Sequence, residues 1–555
     1  MRLDHETAVV NSALWAAAGD ALGWMTELGR EGTVVARTGK SRVVETVPWR
    51  RRIGGRGGVD VTLPAGTYSD DTQLRLAVSR SIRSSGDFDA ESFARIELTV
   101  WPSYALGAGR GSKAAAANLT KRGVNWYSNF FATKDQNYLR AGGNGAAMRV
   151  QPHVWSNPAD TSRIILSVMR DSLSTHGHTH GFCGAVFHAL CLSRTLGERK
   201  IPGIAAWNDF LCSLHSLPEI LRKDGQLATF WLPTWSKASA QPLEQAIAEF
   251  VDDARTDLEA IQPLLDQGGR SYPEILQKLG CFEERYRGSG WKTALASVAL
   301  AWLFRAEKPE LALQMAANAL GSDTDTIATM AGALMGVVAD EPPNWALQDK
   351  DYLIRDARRL ASMVAGRTSS QFGYPDLSEW RAPPSQSDAV FAYQDALAMS
   401  GFGIAEPMSD PNAAGDFVWQ WLRLPFGQTI LAKRRAGVLS EIGAGQLPMS
   451  SRAAKVIPMR SNPELPLPPA TRTSHSAGNG NGGRQGSPLS IGMSKTADRL
   501  DLWTDQVIQS DFDDRVLGQL LNRYIDEKGS IEAAASFAAI VAKAKLSRQR
   551  REMRR

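Results

Sequence analysis

The chain is 555 residues long, 43% apolar and 22% charged, the balance of an ordinary globular protein with room for more than one domain. Its formal net charge of +5 would suggest a nucleic-acid binder, but residues 543–555 carry seven Lys or Arg against one Glu, so the remainder sums to −1 and the basicity belongs to a tail. MRLDHETAVV is charged from its start, no apolar run reaches the ~18 residues of a membrane span, and Cys183, Cys191, Cys212 and Cys281 form no CxxC pair; these features predict a cytoplasmic protein with core thiols and no thiolate zinc site or disulfide scaffold.

From the start to about residue 365, small and apolar residues recur three and four apart in TAVVNSALWAAAGDALG, DTQLRLAVSRSI, GFCGAVFHALCLSR and TDTIATMAGALMGVVA, which predicts helices. Strand-like alternation is nearly absent there, apart from a short piece around SRVVETV, so the fold class is mainly α, with residues 1–365 as an all-helical domain. Residues 366–445 mix aromatics with turn signals and predict a small accessory region with some strand. Residues 446–495 are dominated by Pro, Ser, Asn and Gly, the composition of a flexible linker. Helical periodicity returns over 496–555, a short module ending in the basic run, which reads as a solvated extension and through which alone a nucleic acid or another acidic partner could bind.

The chemistry lies in the loops of the helical part. GDALGWMTE holds Asp20 and Glu27, YSDDT holds Ser69, Asp70 and Asp71, and GSDTDT holds Asp323 and Asp325 beside Thr324 and Thr326. Adjacent carboxylates repel, and acids beside glycines or hydroxyls at helix edges can aim hard oxygen donors at Mg2+, Mn2+ or Ca2+. The plainer reading of any one such Asp is a helix N-cap, which Asp325 resembles, and Asp20 reads as a cap or packing residue. AGGNGAAMR (141–149) and LGAGRGSKA (106–114) are Gly-rich without the spacing of a Walker A loop; they are anion-binding loops or ordinary turns. STHGHTHGFCGA sets His176, His178 and His180 at alternate positions without an HExxH pattern, which predicts one histidine touching a ligand and two exposed. WRRRIGGRGG (49–58) could meet an acidic acceptor, and reads more simply as an exposed loop.

In order, GDALGWMTE, YSDDT, GNGAAMR, THGHTHGFCGA and GSDTDTIATMAGALMG resemble the signature segments of the ADP-ribosylglycohydrolase family, the group of the dinitrogenase reductase-activating glycohydrolase. The resemblance covers about residues 5–365. It implies an all-helical catalytic domain with a cleft holding two Mg2+ ions, Mn2+ being able to substitute, and hydrolysis of the bond between ADP-ribose and an acceptor such as a modified protein. It further implies Ser69, Asp70, Asp71, Asp323, Asp325 and Thr326 as metal ligands, with Asp70, Asp71, Glu27 and Asp323 as the catalytic carboxylates. The loop Gly143, Asn144, Gly145, Ala146 and Met148 would lie along the ADP-ribose, His176 near its adenosine, and Gly107 and Gly109 beside it, although Ala108 stands where the family has an aromatic. Ser69 replaces the more usual Thr and keeps the hydroxyl. A catalytically inactive ADP-ribose-binding or structural relative is the alternative implied.

Overall fold

The computed structural model describes residues 4–364, 370–449, 499–528 and parts of 537–548. The expected linker at 446–495 lies almost wholly outside the described residues, as does most of the basic tail at 543–555. The helical part runs α1 (His5–Trp24), α2 (Glu31–Thr38), a hairpin of β1 (Trp49–Ile53) and β2 (Val59–Leu63), α3 (Asp70–Arg80), α4 (Arg110–Leu119), α5 (Thr179–Glu198), α6 (Gly290–Leu303), α7 (Thr324–Val338) and α8 (Lys350–Val364), with further helices between, the longest being Leu243–Ile261.

The α1 and α7 helices form its axis. Both are buried on nearly every face, which is why their sequences are Ala-rich rather than striped. Their backbones meet through glycine: a Cβ on Gly19 would lie 2.3 Å from the Ala328 carbonyl oxygen, and one on Gly332 would lie 2.4 Å from that of Trp15. Ser12 Oγ completes the contact by donating to the Ala333 carbonyl at 2.6 Å. The pairing is antiparallel, so the C-terminal end of α1 meets the N-terminal end of α7, where a Cβ on Gly23 would lie 2.4 Å from the Thr324 carbonyl oxygen. The acids of GDALGWMTE and GSDTDT thereby arrive at one end of the axis.

The strand expected around SRVVETV is irregular chain, and the strands follow directly after it. In the hairpin, Trp49 pairs with Leu63 and Ile53 with Val59, and burial alternates along β2, with Val59, Val61 and Leu63 inward. WRRRIGGRGG is therefore a strand and its turn rather than an exposed loop; three consecutive arginines mask an alternation in which Trp49 and Ile53 are buried and Arg51 is half-buried.

The accessory region is the expected strand-bearing segment. Its strands β3 (Val390–Tyr393), β4 (Ala396–Met399), β5 (Gly403–Pro407), β6 (Asn412–Ala414), β7 (Phe417–Arg423) and β8 (Thr429–Arg435) are antiparallel, with β8 along one edge of β7 and β5 and β6 along the other. The 365/366 boundary marks a change from helix to strand, and both parts share one compact unit, residues 1–456. Buried polar ties cross the boundary. Arg80 donates twice to Glu97 at 2.8 Å and to Gln428 Oε1 at 2.8 Å, while Tyr374 Oη donates to Glu97 at 2.6 Å. Asp349 accepts from Tyr68 Oη at 2.6 Å and from the Thr429 amide at 2.9 Å.

The second unit, residues 457–555, contains α9 (Arg499–Gln509) and α10 (Asp514–Lys528) around an apolar cluster including Trp503, Val507, Phe512 and Phe537. Among the described residues no helix is long and apolar enough to cross a membrane. All four cysteines are free, and three are buried; Cys212 is exposed, on the outer face of the surface helix Ile204–Ser213, and departs from the expected core placement.

Candidate active site

The site begins at the N-terminus of α3. Ser69 is the N-cap, its Oγ accepting from the Asp71 amide at 3.2 Å. Asp20, buried in α1, accepts from the Ser69 and Thr72 amides at 2.9 Å each, so it caps α3 from a neighbouring helix and fulfils the expected structural role. This leaves Asp70 and Asp71 at a helix start, where the backbone dipole favours negative charge.

Asp70 Oδ1 accepts from the Ala108 amide at 2.8 Å, and the Asp70 amide donates to the Leu106 carbonyl at 2.8 Å. Gly107 makes that approach possible: its φ is +110°, and a Cβ there would sit 2.3 Å from Asp70 Oδ1. Gly109 precedes α4 with open space on its Cβ side. Asp71 Oδ1 receives a long contact from Thr326 Oγ1 at 3.4 Å, and its buried Oδ2 has no partner of standard hydrogen-bond geometry, although the Thr329 hydroxyl acts on the carboxyl to lower its pKa.

On the facing side, Asp323 occupies the N-cap position of α7 without capping it; its Oδ2 accepts from Asn144 Nδ2 at 3.0 Å. Asp325 accepts from the Thr326 amide next to it at 3.0 Å, and its carboxyl also interacts with that of Asp323, so neither acid plays the N-cap role. Glu27, just past the end of α1, pairs with Arg51 at 3.0 Å.

Burial pushes the Asp70 carboxyl up to about 7, with Glu27 and Asp20 adding repulsion against the relief from the Ala108 amide. Burial raises Asp71 well above the usual carboxylate range, helped by Asp20, Asp70 and Asp323. Asp325 is raised by burial and by Glu27, Asp323 and Asp71. Glu27 is raised by burial, which the Arg51 guanidinium opposes. Three segments far apart in sequence thus contribute carboxylates that feel one another.

The loop 141–149 forms the next wall. The Asn144 amide donates to the Gly288 carbonyl at 2.9 Å and the Gly290 amide to that of Gly142 at 2.9 Å, fixing the loop against the start of α6. Ala146 and Met148 are buried, so their side chains pack inward and only the backbone of that segment can face a ligand. A Cβ on Gly145 would lie 2.7 Å from Ser112 Oγ and 3.2 Å from the His176 ring, and His176 Nε2 also lies beside Gly111 and Gly143. His176 bonds Thr175 Oγ1 through Nδ1 at 2.7 Å, and burial lowers its pKa to about 3, so the imidazole is neutral. His178 and His180 are not exposed as expected: His178 caps the start of α5, and His180 Nδ1 bonds Ser289 Oγ at 2.8 Å.

Three participants escaped the sequence reading. Arg51 sits on a strand masked by its neighbours' charge. The Trp24 indole N–H is buried without a partner, 3.8 Å from where a Gly107 Cβ would be, and nothing in the sequence separates it from a core tryptophan. Arg75 is buried, donates to Thr72 Oγ1 at 3.1 Å, and places positive charge near Asp20 and Asp71; its position four residues after Asp71 on α3 was the available signal.

Among the described residues, no three His, Cys, Asp or Glu side chains close around one point as a metal shell. The donor set nevertheless fits a hard cation, because it offers carboxylate and hydroxyl oxygens without thiolates and includes Asp71 Oδ2, buried without a partner of standard geometry.

The protein is thus a helical domain whose helix ends gather acids beside glycine loops, and comparison with known families supplies its class. The ADP-ribosylglycohydrolase family model matches residues 1–370, and the chain belongs to that family of glycosidic-bond hydrolases. It is similar to the ADP-ribosylhydrolase ARH3 of Xenopus tropicalis, with 27% identity over 297 residues covering 52% of this chain and 78% of that protein. It is also similar to the ADP-ribosyl-(dinitrogen reductase) glycohydrolase of Rhodospirillum rubrum, with 28% identity over 177 residues covering 31% of this chain and 52% of that one. A solved chain described as an ADP-ribosylglycohydrolase-related protein complex aligns at a TM-score of 0.38 and 20% identity, over 65% of this chain and 98% of its own.

Proposed function

We propose that this chain is a magnesium-dependent hydrolase that removes ADP-ribose from a modified protein. The observation that carries this reading is the approach of Asp71, with Asp70 beside it at the start of α3, to Asp323 and Asp325 next to the Asn144 loop, which Asn144 Nδ2 ties to Asp323. Its relatives' names describe ADP-ribosyl hydrolases, one acting on modified dinitrogen reductase.

Ser69, Asp70, Asp71, Asp323, Asp325 and Thr326 would hold Mg2+, or Mn2+ in its place, which supplies polarisation of ribose hydroxyls and a lower pKa for a bound water. The chain's own residues do the rest. The backbone of 143–148 and the open side of Gly109 receive the diphosphate and ribose, limiting the motion of the reacting sugar. Water oxygen bonds to the anomeric carbon as the bond from that carbon to the acceptor breaks. A site carboxylate, Glu27 or Asp70, takes one water proton, and that proton passes on, directly or through solvent, to the departing acceptor atom, which returns the carboxylate to its starting state. The products are free ADP-ribose and the unmodified acceptor.

The test is incubation of the full chain with Mg2+ or with EDTA and a panel of ADP-ribosylated peptides, followed by mass spectrometry. Release of ADP-ribose in Mg2+ and its absence in EDTA are expected. Binding of ADP-ribose with no release from any peptide would replace the hydrolase with a binding protein.

A further inference from the structure

We propose that the β1–β2 hairpin is the arm through which the accessory sheet fixes Glu27, with Arg51 as the positioning residue; the kinetic part of this inference rests on the hydrolase reading above. Glu27 needs such a device. It lies in the turn that follows α1, where its amide bonds the Gly23 carbonyl at 3.0 Å and Arg37 of α2 donates to its own carbonyl at 2.8 Å; these hold the backbone, and among the described residues Arg51 is the hydrogen-bond partner of its carboxylate. Left alone, this carboxylate would be repelled by the other acids of the cluster.

Arg51 is itself firmly placed. Its Nη2 donates to Glu27 Oε2 at 3.0 Å and its Nη1 to the Trp24 carbonyl at 3.4 Å. The guanidinium lies 4.9 Å from the Trp24 ring and 5.8 Å from the Trp49 ring, and these two indoles meet edge to face at 4.9 Å. A planar cation stacked on indole presents its donors in one direction, which a lysine would not do.

The far end of the hairpin is held by the accessory sheet. Gly54 turns the chain at φ +87°, and the Trp419 ring occupies the space a side chain would need, with Cζ2 2.4 Å from a Cβ built there. Trp419 is buried in β7, flanked by β6 and β8, and Lys433 lies over its ring at 5.1 Å. Strand β2 also packs against β6. The hairpin is thus fixed at its base by Trp49 on Trp24 and at its tip by Trp419, with Arg51 between them reaching Glu27. Displacing a reacting carboxylate by about 1 Å can cost 100-fold in rate, so the arm is worth testing at that scale.

The experiment combines kinetics with backbone hydrogen exchange on the full chain. Arg51→Gln is expected to lower kcat at least tenfold with KM within threefold, Arg51→Lys to recover part of the loss, and Arg51→Gln to change kcat less than twofold in a Glu27→Gln background. Trp419→Ala is expected to speed exchange of the hairpin amides at least tenfold in substrate-free protein, and Trp419→Phe to restore protection; if Trp419→Ala does not fold, Trp419→Leu is read instead. Equal loss from Arg51→Gln in both backgrounds, or hairpin exchange unmoved by the Trp419 change, overturns the inference. If the wild-type chain releases no ADP-ribose, the hydrolase reading fails separately, and the inference is decided by exchange: Arg51→Gln must speed the amides around Glu27 and the Trp419 change those of the hairpin.

Discussion

Asp71 keeps a buried carboxylate oxygen without a partner of standard geometry, and burial, helped by three other acids, raises its pKa. Such a group costs stability unless a cation offsets it. Asp71→Asn should therefore lower turnover by about 100-fold or more, as loss of a hard-cation ligand would, and leave the melting temperature in EDTA unchanged or higher. Asp70 supplies a pH test. Its pKa rises from 3.8 unfolded to about 7 folded, so between those values the folded state holds a proton that the unfolded state has lost, and ionising it costs stability as pH climbs. The stabilisation gained by Asp70→Asn in EDTA should be near zero at pH 4, grow towards pH 7.5, and vanish or reverse in Mg2+; calorimetric melting at matched pH reads it. A gain that shrinks as pH rises would contradict the burial of this carboxylate. The acids were legible because each stood beside glycine or a hydroxyl at a helix edge. Arg51 was not, since pairing it with Glu27 requires the hairpin to form, and burial of the Ala146 and Met148 side chains depends on packing that a loop sequence does not encode.

At the scale of elements, the α1/α7 pair sets the geometry of the site. Helix propensity alone says that Gly332→Ala should stabilise α7 by about 1 kcal/mol. The Trp15 carbonyl 2.4 Å from the new methyl group says the opposite, because two backbones would have to separate. Overpacking of this kind costs about 3 kcal/mol, so the net change should be destabilising by about 2 kcal/mol, read by denaturant unfolding. Turnover should fall as well, since separating these helices also separates Asp323 and Asp325 from Glu27 and Asp71. The helices were legible from period and composition. The hairpin was missed because propensity drew attention to the Val-rich stretch before it, whereas pairing of Trp49 with Leu63 set the register.

At the scale of the molecule, the strand-bearing region is bound to the helical part by buried charge. A chain ending at residue 364 would leave Arg80 without Gln428, Glu97 without Tyr374 and Asp349 without Thr429. Arg80 and Glu97 would keep each other and Asp349 would keep Tyr68, so the loss is three bonds to charged groups at about 1.5–3 kcal/mol each, enough together to threaten a stable fold. A chain ending at residue 449 keeps all three ties. It should melt cooperatively and bind ADP-ribose like the full chain, whereas the shorter one should aggregate or melt at least 10 °C lower; scanning calorimetry and ligand titration compare them. The composition change near 365 was visible in the sequence, but the ties that span it were not, because each joins side chains hundreds of residues apart.

The bond from Ser12 to Ala333 spans 321 residues. During synthesis, α1 must therefore wait for most of the catalytic part to be made before its partner helix exists. Contacts this distant are slow to form, and the exposed, Ala-rich faces of α1 are open to wrong associations in the interval. The carboxylates of Asp70 and Asp71 likewise remain apart from those of Asp323 and Asp325 until that closure. Closure is therefore the step at which their repulsion first appears, and a divalent ion present then should speed the last phase of refolding while leaving earlier helix formation unchanged.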